Sequence, residues 1–297
     1  MSKTLSGVIA AIATPIEETG APDLTRAIKL ARFLLDNGCN GLNVLGTTGE
    51  ATSFSLAERK AVMDVYKSNG LPLERLMVGT GAAAVSDAVA LTSHAAQLGF
   101  AGALILPPFY YKGVSDDGLA AYIDIIVQAT AATPIPLYLY HYPAMSGLPW
   151  HVPLLERLLK AHPSCIVGLK DSSGDMNYAR AAAAVKPGFA VFPSNEAALL
   201  DARRGDFAGC ISATANLNPD LCQRAWASGD AGALEQAVTI RKLFEGKALV
   251  SGVKALLAHI HGDPALARMK PPLTAFSAAD RAAVTAGYDG VRARKVA

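Results

Sequence analysis

Four short polar segments in this chain follow directly on apolar runs: Gly46-Thr47-Thr48-Gly49-Glu50, Tyr140-His141-Tyr142-Pro143, Lys170-Asp171-Ser172-Ser173 and Ser212-Ala213-Thr214. Lys170 ends the run Ile166-Val167-Gly168-Leu169. A neutral lysine amine there could attack a ketone carbonyl, and the resulting iminium would drain electrons from a neighbouring carbon as a C–C bond breaks or forms. The plainer reading is a strand-end lysine that snorkels to solvent or pairs with Asp171, and position alone favours it. Gly46-Thr47-Thr48-Gly49 offers two hydroxyls and closely spaced backbone N–H groups ahead of a helical stretch, which suits a carboxylate. An ordinary strand–helix turn, with Ser55 capping the helix, explains it equally well. Tyr140 could move protons to and from a substrate oxygen. It could also be packing, as could Phe109-Tyr110-Tyr111.

Other chemistries fit poorly. Gly79-Thr80-Gly81-Ala82-Ala83-Ala84 matches a dinucleotide fingerprint, but the region about 20 residues on reads Leu104-Ile105-Leu106-Pro107-Pro108 and lacks the required acidic residue. His94, His141, His151, His162, His259 and His261 form no ligand pattern, so no metal is expected. Cys39, Cys165, Cys210 and Cys222 have no C-x-x-C spacing and are read as reduced thiols. No G-x-S-x-G elbow is present. Lys and Arg number 27 against 25 Asp and Glu, a net charge of +2 without a basic stripe, which argues against nucleic acid. Mean hydropathy is +0.27, yet Pro, Gly or charge interrupts every apolar stretch well short of the roughly 18 to 20 residues of a membrane span. The start Met1-Ser2-Lys3-Thr4 lacks a signal-peptide pattern, so a cytoplasmic protein is expected.

The elements that must position these residues alternate regularly. Apolar runs at 7–13, 41–45, 76–79, 102–106, 136–140, 166–169, 189–192 and 209–211 read as eight strands. Helices are expected near 24–37, 55–68, 86–98, 116–131, 152–161, 175–185, 196–203 and 219–228. Eight βα units predict an α/β chain closed into a (β/α)₈ TIM barrel, with catalytic side chains at the C-terminal strand ends. An open doubly wound sheet remains the alternative, because periodicity does not fix order in space. After Gly229 only helices are expected, at 231–244, 248–261 and 278–291. The chain thus divides into a barrel carrying the site at 1–228 and a helical C-terminal extension at 229–297.

Taken in order, GTTGE, PPFYY, Y-x-x-P and GLKDSSGD resemble the dihydrodipicolinate synthase and N-acetylneuraminate lyase family. Thr14-Pro15, Gly79-Thr80-Gly81 and Lys270-Pro271-Pro272-Leu273 extend the resemblance over essentially all 297 residues. It implies a (β/α)₈ barrel, usually a homotetramer, that works without metal or organic cofactor through a covalent lysine imine. It makes Lys170 the Schiff-base lysine and Tyr140 the general acid/base, with Thr48 and Tyr110 as relay partners, Tyr110 reaching a neighbouring subunit's site. By the same resemblance Thr47 and Thr48 bind the 2-oxo acid carboxylate, Ile211 lines the pyruvate pocket, and Ser194, Asn195 and Glu196 hold substrate hydroxyls. That last segment could also be a plain helix N-terminus.

The chain departs from the pattern at Met145, where dihydrodipicolinate synthases usually carry an arginine. A thioether offers no fork of donors for a carboxylate, so an aldehyde with hydroxyls or an apolar tail is the expected partner. The resulting expectation is a class I aldolase joining or splitting a 2-oxo acid and an aldehyde. Candidate substrates are 2-keto-3-deoxy sugar acids, 4-hydroxy-2-oxoglutarate and sialic-acid-like compounds. The alternatives are a dehydratase or deaminase using the same imine, a 4-hydroxy-tetrahydrodipicolinate synthase, disfavoured by Met145, and a non-catalytic 2-oxo acid binding paralogue.

Overall fold

The computed structural model describes residues 4–293, so most of the Met1-Ser2-Lys3-Thr4 start lies outside the described residues. Eight strands follow in order: β1 Gly7–Ala11, β2 Gly41–Val44, β3 Leu76–Gly79, β4 Gly102–Ile105, β5 Leu137–His141, β6 Ile166–Asp171, β7 Ala190–Pro193 and β8 Gly209–Ser212. Their spatial order is β7-β6-β5-β4-β3-β2-β1-β8, and every pairing is parallel. The free sides of β7 and β8 meet, where the Ala208 N–H donates to the Val191 carbonyl at 2.9 Å. The sheet is therefore a nearly closed barrel and not an open doubly wound sheet.

Continuously apolar strands suit this arrangement, because both faces of each strand are covered. In β1, Val8 and Ala10 face the surrounding helices, whereas Ile9 and Ala11 join Met77, Leu104, Tyr138, Tyr140, Phe192 and Ile211 in a separate interior cluster. Tyr138 fills the lower interior. A Cβ on Gly102 would lie 2.6 Å from its ring and one on Gly168 2.7 Å away, so the adjacent strands carry glycine where the ring passes. The Tyr138 hydroxyl accepts the Leu5 N–H at 3.2 Å, and burial pushes the phenol up to about 12.

Local signals set the helices. Ser55 and Glu58 form a reciprocal capping box on Leu56–Ser68, and Asp23, Ser115, Asp175, Asp230 and Ser277 cap others. Two expected boundaries shift at functionally interesting places. β6 continues through Lys170 and Asp171, which pair with Tyr140 and His141 on one side and Phe192 and Pro193 on the other. The helix expected at 196–203 divides into a 3₁₀ turn, Glu196–Ala198, and a helix, Leu199–Arg204. Glu196 turns its carboxylate inward to buried hydroxyls, and Asn195 caps the turn through the Ala197 N–H.

The helices Ala231–Lys242, Leu249–His261 and Ala278–Arg292 pack beside the barrel, and Ile240, Val253, Leu256 and Tyr288 share the apolar core that covers the strands. Among the described residues, no helix is long and apolar enough to cross a membrane.

Replacing Gly168 with alanine would drive a Cβ to 2.4 Å from the Ala190 carbonyl oxygen as well as into Tyr138. We expect it to cost about 1–3 kcal/mol, seen as a lower urea midpoint. Gly290→Ala, in open space on the last helix, should instead gain about 0.4–1 kcal/mol.

Candidate active site

Register brings the two principal side chains together. Tyr140 pairs with Lys170 across β5 and β6, both point into the barrel, and each is only 4% exposed. The Lys170 Nζ lies 4.3 Å from the centre of the Tyr140 ring. The Tyr140 hydroxyl lies 3.3 Å from Thr47 Oγ1, and Ser172 Oγ donates to it at 3.4 Å. The Tyr140 hydroxyl thus sits between the hydroxyls of Thr47 and Ser172. Thr48, expected from the sequence as the relay partner, makes no bond to Tyr140; it is buried and lines the pocket in front of Lys170.

The 46–50 loop is held in an uncommon conformation. Leu45, just before it, and Glu50, its last residue, are the two non-glycine residues with positive φ among the described residues, at +54° and +53°. Such conformations persist where the surroundings over-determine them, and here the ties are explicit. Glu50 Oε1 accepts from Lys254 Nζ at 2.5 Å, and Glu50 Oε2 accepts the Lys270 N–H at 2.9 Å. Lys254 also donates to the Thr14 carbonyl at 3.1 Å, and its pair with Glu50 is almost wholly buried. Gly46 and Gly49 allow close approach: a Cβ would lie 2.5 Å from Asn43 Oδ1 at the first and 3.1 Å from Thr14 Oγ1 at the second.

The remaining predicted residues separate. Ile211 is fully buried on β8 and lines the Lys170 pocket, as does Ser194. Asn195 lies outside that lining, in a neighbouring cavity with Asp171 and Arg180. Glu196 is also outside it, completely buried, with Oε1 accepting Ser212 Oγ at 2.6 Å and the Thr214 hydroxyl. Met145, 60% exposed on the short helix Pro143–Ser146, lines the mouth. Tyr110 is 75% exposed, stacks edge-on against Tyr111 and is not among the residues lining the Lys170 pocket.

Three pocket features escaped the sequence reading. Ser172 lay in a segment already singled out, but only the fold shows its hydroxyl reaching Tyr140. Tyr142 sits 5.7 Å from the Tyr140 ring, with its phenol raised chiefly by burial. Arg241 and residues 248–251 come from the C-terminal helical part, where no local motif marks them. The Gly79-Thr80-Gly81 segment also has a structural role: Arg59 donates to the carbonyls of Gly79 and Gly81 at 2.8 and 3.3 Å, its guanidinium drawn down to about 10 by burial. Among the described residues, no group of His, Cys, Asp and Glu could hold a metal ion.

A parallel barrel with a buried lysine and tyrosine at its C-terminal end, beside a threonine-bearing loop, has the architecture of a class I lyase. The chain matches the dihydrodipicolinate synthetase family over residues 4–288. It is 31% identical, over 97% of both chains, to an uncharacterized DapA-like lyase of Chloroflexus aurantiacus. Its fold is similar to dihydrodipicolinate synthase from Agrobacterium tumefaciens, with a TM-score of 0.90 and 28% identity over 96% of this chain and 99% of that one. It also matches the fold of an E. coli K12 prophage protein of the same family solved with pyruvate, with a TM-score of 0.89 and 24% identity over 98% and 99% of the two chains. The protein belongs to the dihydrodipicolinate synthetase family of class I, pyruvate-dependent lyases.

Beside the site, His141 accepts the Trp150 N–H at 3.1 Å and stacks on Tyr178, and burial lowers its imidazole to about 4 from an ordinary 6.5. Between those values the unfolded chain takes up a proton that the folded chain refuses. Stability should therefore fall as pH drops from about 6.5 towards 4, with no contribution from this group above that window. Urea midpoints at pH 7 and pH 5 test this, and His141→Gln should shrink the difference.

Proposed function

We propose that Lys170 Nζ attacks the carbonyl carbon of pyruvate or another 2-oxo acid, while the substrate carboxylate rests on the Thr47-Thr48 loop. Loss of water from the carbinolamine leaves an iminium. In the cleavage direction Tyr140 accepts the proton of the substrate's C4 hydroxyl, the C3–C4 bond breaks, and its electron pair flows into the iminium to give an enamine and a free aldehyde. Protonation at C3 and hydrolysis then release pyruvate and restore the amine. The observation that carries this reading is the buried pair of Lys170 and Tyr140, with Thr47 and Ser172 at hydrogen-bond distance from the phenol oxygen. Proton transfer by a positioned phenol needs such partners.

The substrates proposed are 2-keto-3-deoxy sugar acids, 4-hydroxy-2-oxoglutarate or sialic-acid-like compounds. Met145 at the mouth speaks against the 4-hydroxy-tetrahydrodipicolinate synthase reaction. A homotetramer, with Tyr110 of one copy meeting its neighbour's pocket, is part of the same reading and is supported by the exposed Tyr110–Tyr111 pair.

Borohydride reduction after incubation with pyruvate should leave a stable adduct on Lys170 by peptide mass, absent in Lys170→Ala; an unmodified wild-type chain would sink the mechanism. Tyr140→Phe should still be trapped while turnover falls about 10²- to 10⁴-fold. Steady-state kinetics should separate the threonines, with Thr47→Val lowering kcat and Thr48→Val mainly raising KM for the 2-oxo acid.

A further inference from the structure

The pocket in front of Lys170 has a second cation. Arg241, on the helix Ala231–Lys242, lines it together with Lys170, Thr47, Thr48, Ser172 and Ser194, and no aspartate or glutamate is among the lining residues. The guanidinium is placed from behind. Its Nη1 lies 3.4 Å from both Ser212 Oγ and Thr214 Oγ1 and 3.5 Å from Glu196 Oε2. Those contacts are long for a charge-assisted pair, whose N–H···O distances run about 2.7–2.9 Å. Glu196 Oε2 is fully buried and makes no hydrogen bond, whereas Oε1 takes the Ser212 and Thr214 hydroxyls. The remaining N–H groups of Arg241 donate to nothing among the described residues. Arg241 is thus fixed at the wall by a buried countercharge that engages only one edge of its fork, and its side chain stays 25% exposed towards the pocket.

We infer that Arg241 is a specificity-determining residue that binds a distal carboxylate of the substrate, making this enzyme selective for 2-oxo acids that carry a second carboxylate at the far end. The inference rests on the imine at Lys170 proposed above. A planar fork matches a carboxylate in two parallel hydrogen bonds, an arrangement that a neutral hydroxyl cannot reproduce. With the first carboxylate on the 46–50 loop and the ketone carbon on Lys170, the pocket then has a partner for each end of a diacid. Of the proposed substrates this favours 4-hydroxy-2-oxoglutarate over those with a neutral tail. It also revises the expectation drawn from Met145, since the fork that position 145 lacks is supplied by the C-terminal helices.

The test uses imine formation alone, so it does not depend on which bond is later broken. Half-saturation of borohydride trapping is measured for 2-oxoglutarate against 2-oxopentanoate, and for 2-oxoadipate against 2-oxohexanoate, each pair differing only in a terminal carboxylate or methyl. The wild-type enzyme should favour the diacid in at least one pair by about 10- to 100-fold, as a charge-assisted bidentate contact implies. Arg241→Gln should abolish that preference, and Arg241→Lys should keep part of it, with the diacid-to-monoacid ratio within each variant as the readout. Glu196→Gln/Arg241→Gln, which removes both charges together, guards against a fold disturbed by a stranded carboxylate and should behave as Arg241→Gln does. No diacid preference in the wild type, or a preference that survives in Arg241→Gln, would overturn the inference while leaving the imine intact. Failure of pyruvate itself to be trapped would instead remove the mechanism on which it rests.

Discussion

The parallel register between β5 and β6 is the constraint on which the site depends. It sets Tyr140 opposite Lys170, and the two-residue period of a strand turns both inward. A slip of one residue would bring Leu139 or Leu169 to the interior and send the reactive side chain into the surrounding helical layer. The register is held from below by Tyr138, whose ring occupies the space left by Gly102 and Gly168 on the flanking strands. Packing in the lower barrel therefore fixes the chemistry in the upper barrel.

The second constraint is electrostatic. Glu50 and Lys254 bury a full ion pair between the 46–50 loop and the helix Leu249–His261. Such a pair adds little net stability against an apolar replacement, but leaving either partner alone is costly. Its value here is positional. It clamps a loop bounded by two left-handed residues, Leu45 and Glu50, and so holds Thr47 at the Tyr140 hydroxyl. The C-terminal helices are thereby part of the site twice over, through Lys254 behind the loop and Arg241 in the pocket wall.

Much of the barrel was legible because each apolar run and each helix cap is a local signal. Ser55 with Glu58 and the capping aspartates mark where helices begin whatever lies beyond them. The polar strand ends were legible for the same reason, which put Lys170, Tyr140, Thr47 and Thr48 in view; their expected roles, and the mention of Ile211, came from the family resemblance. Side-chain directions were not legible, for one reason. Thr47 and Thr48 are adjacent and chemically identical, and only the backbone turn between Leu45 and Glu50 decides which hydroxyl meets the phenol. Asn195 and Glu196 sit in a segment suggestive of substrate contact, yet the turn there directs one to a neighbouring cavity and buries the other beneath the wall.

By itself, then, the sequence determined the eightfold alternation of strand and helix, the polar residues that close the strands and the family to which they point. These depend on residue order and short-range periodicity, which a linear chain carries in full. Only the tertiary structure decided the contact of Tyr140 with Thr47 and Ser172, the buried clamp of Glu50 by Lys254 and the entry of Arg241 into the pocket. Each joins residues far apart along the chain, or turns on a side-chain direction that barrel closure sets. Glu50 and Lys254 meet across 204 positions of sequence, a separation at which no local pattern records which groups will touch.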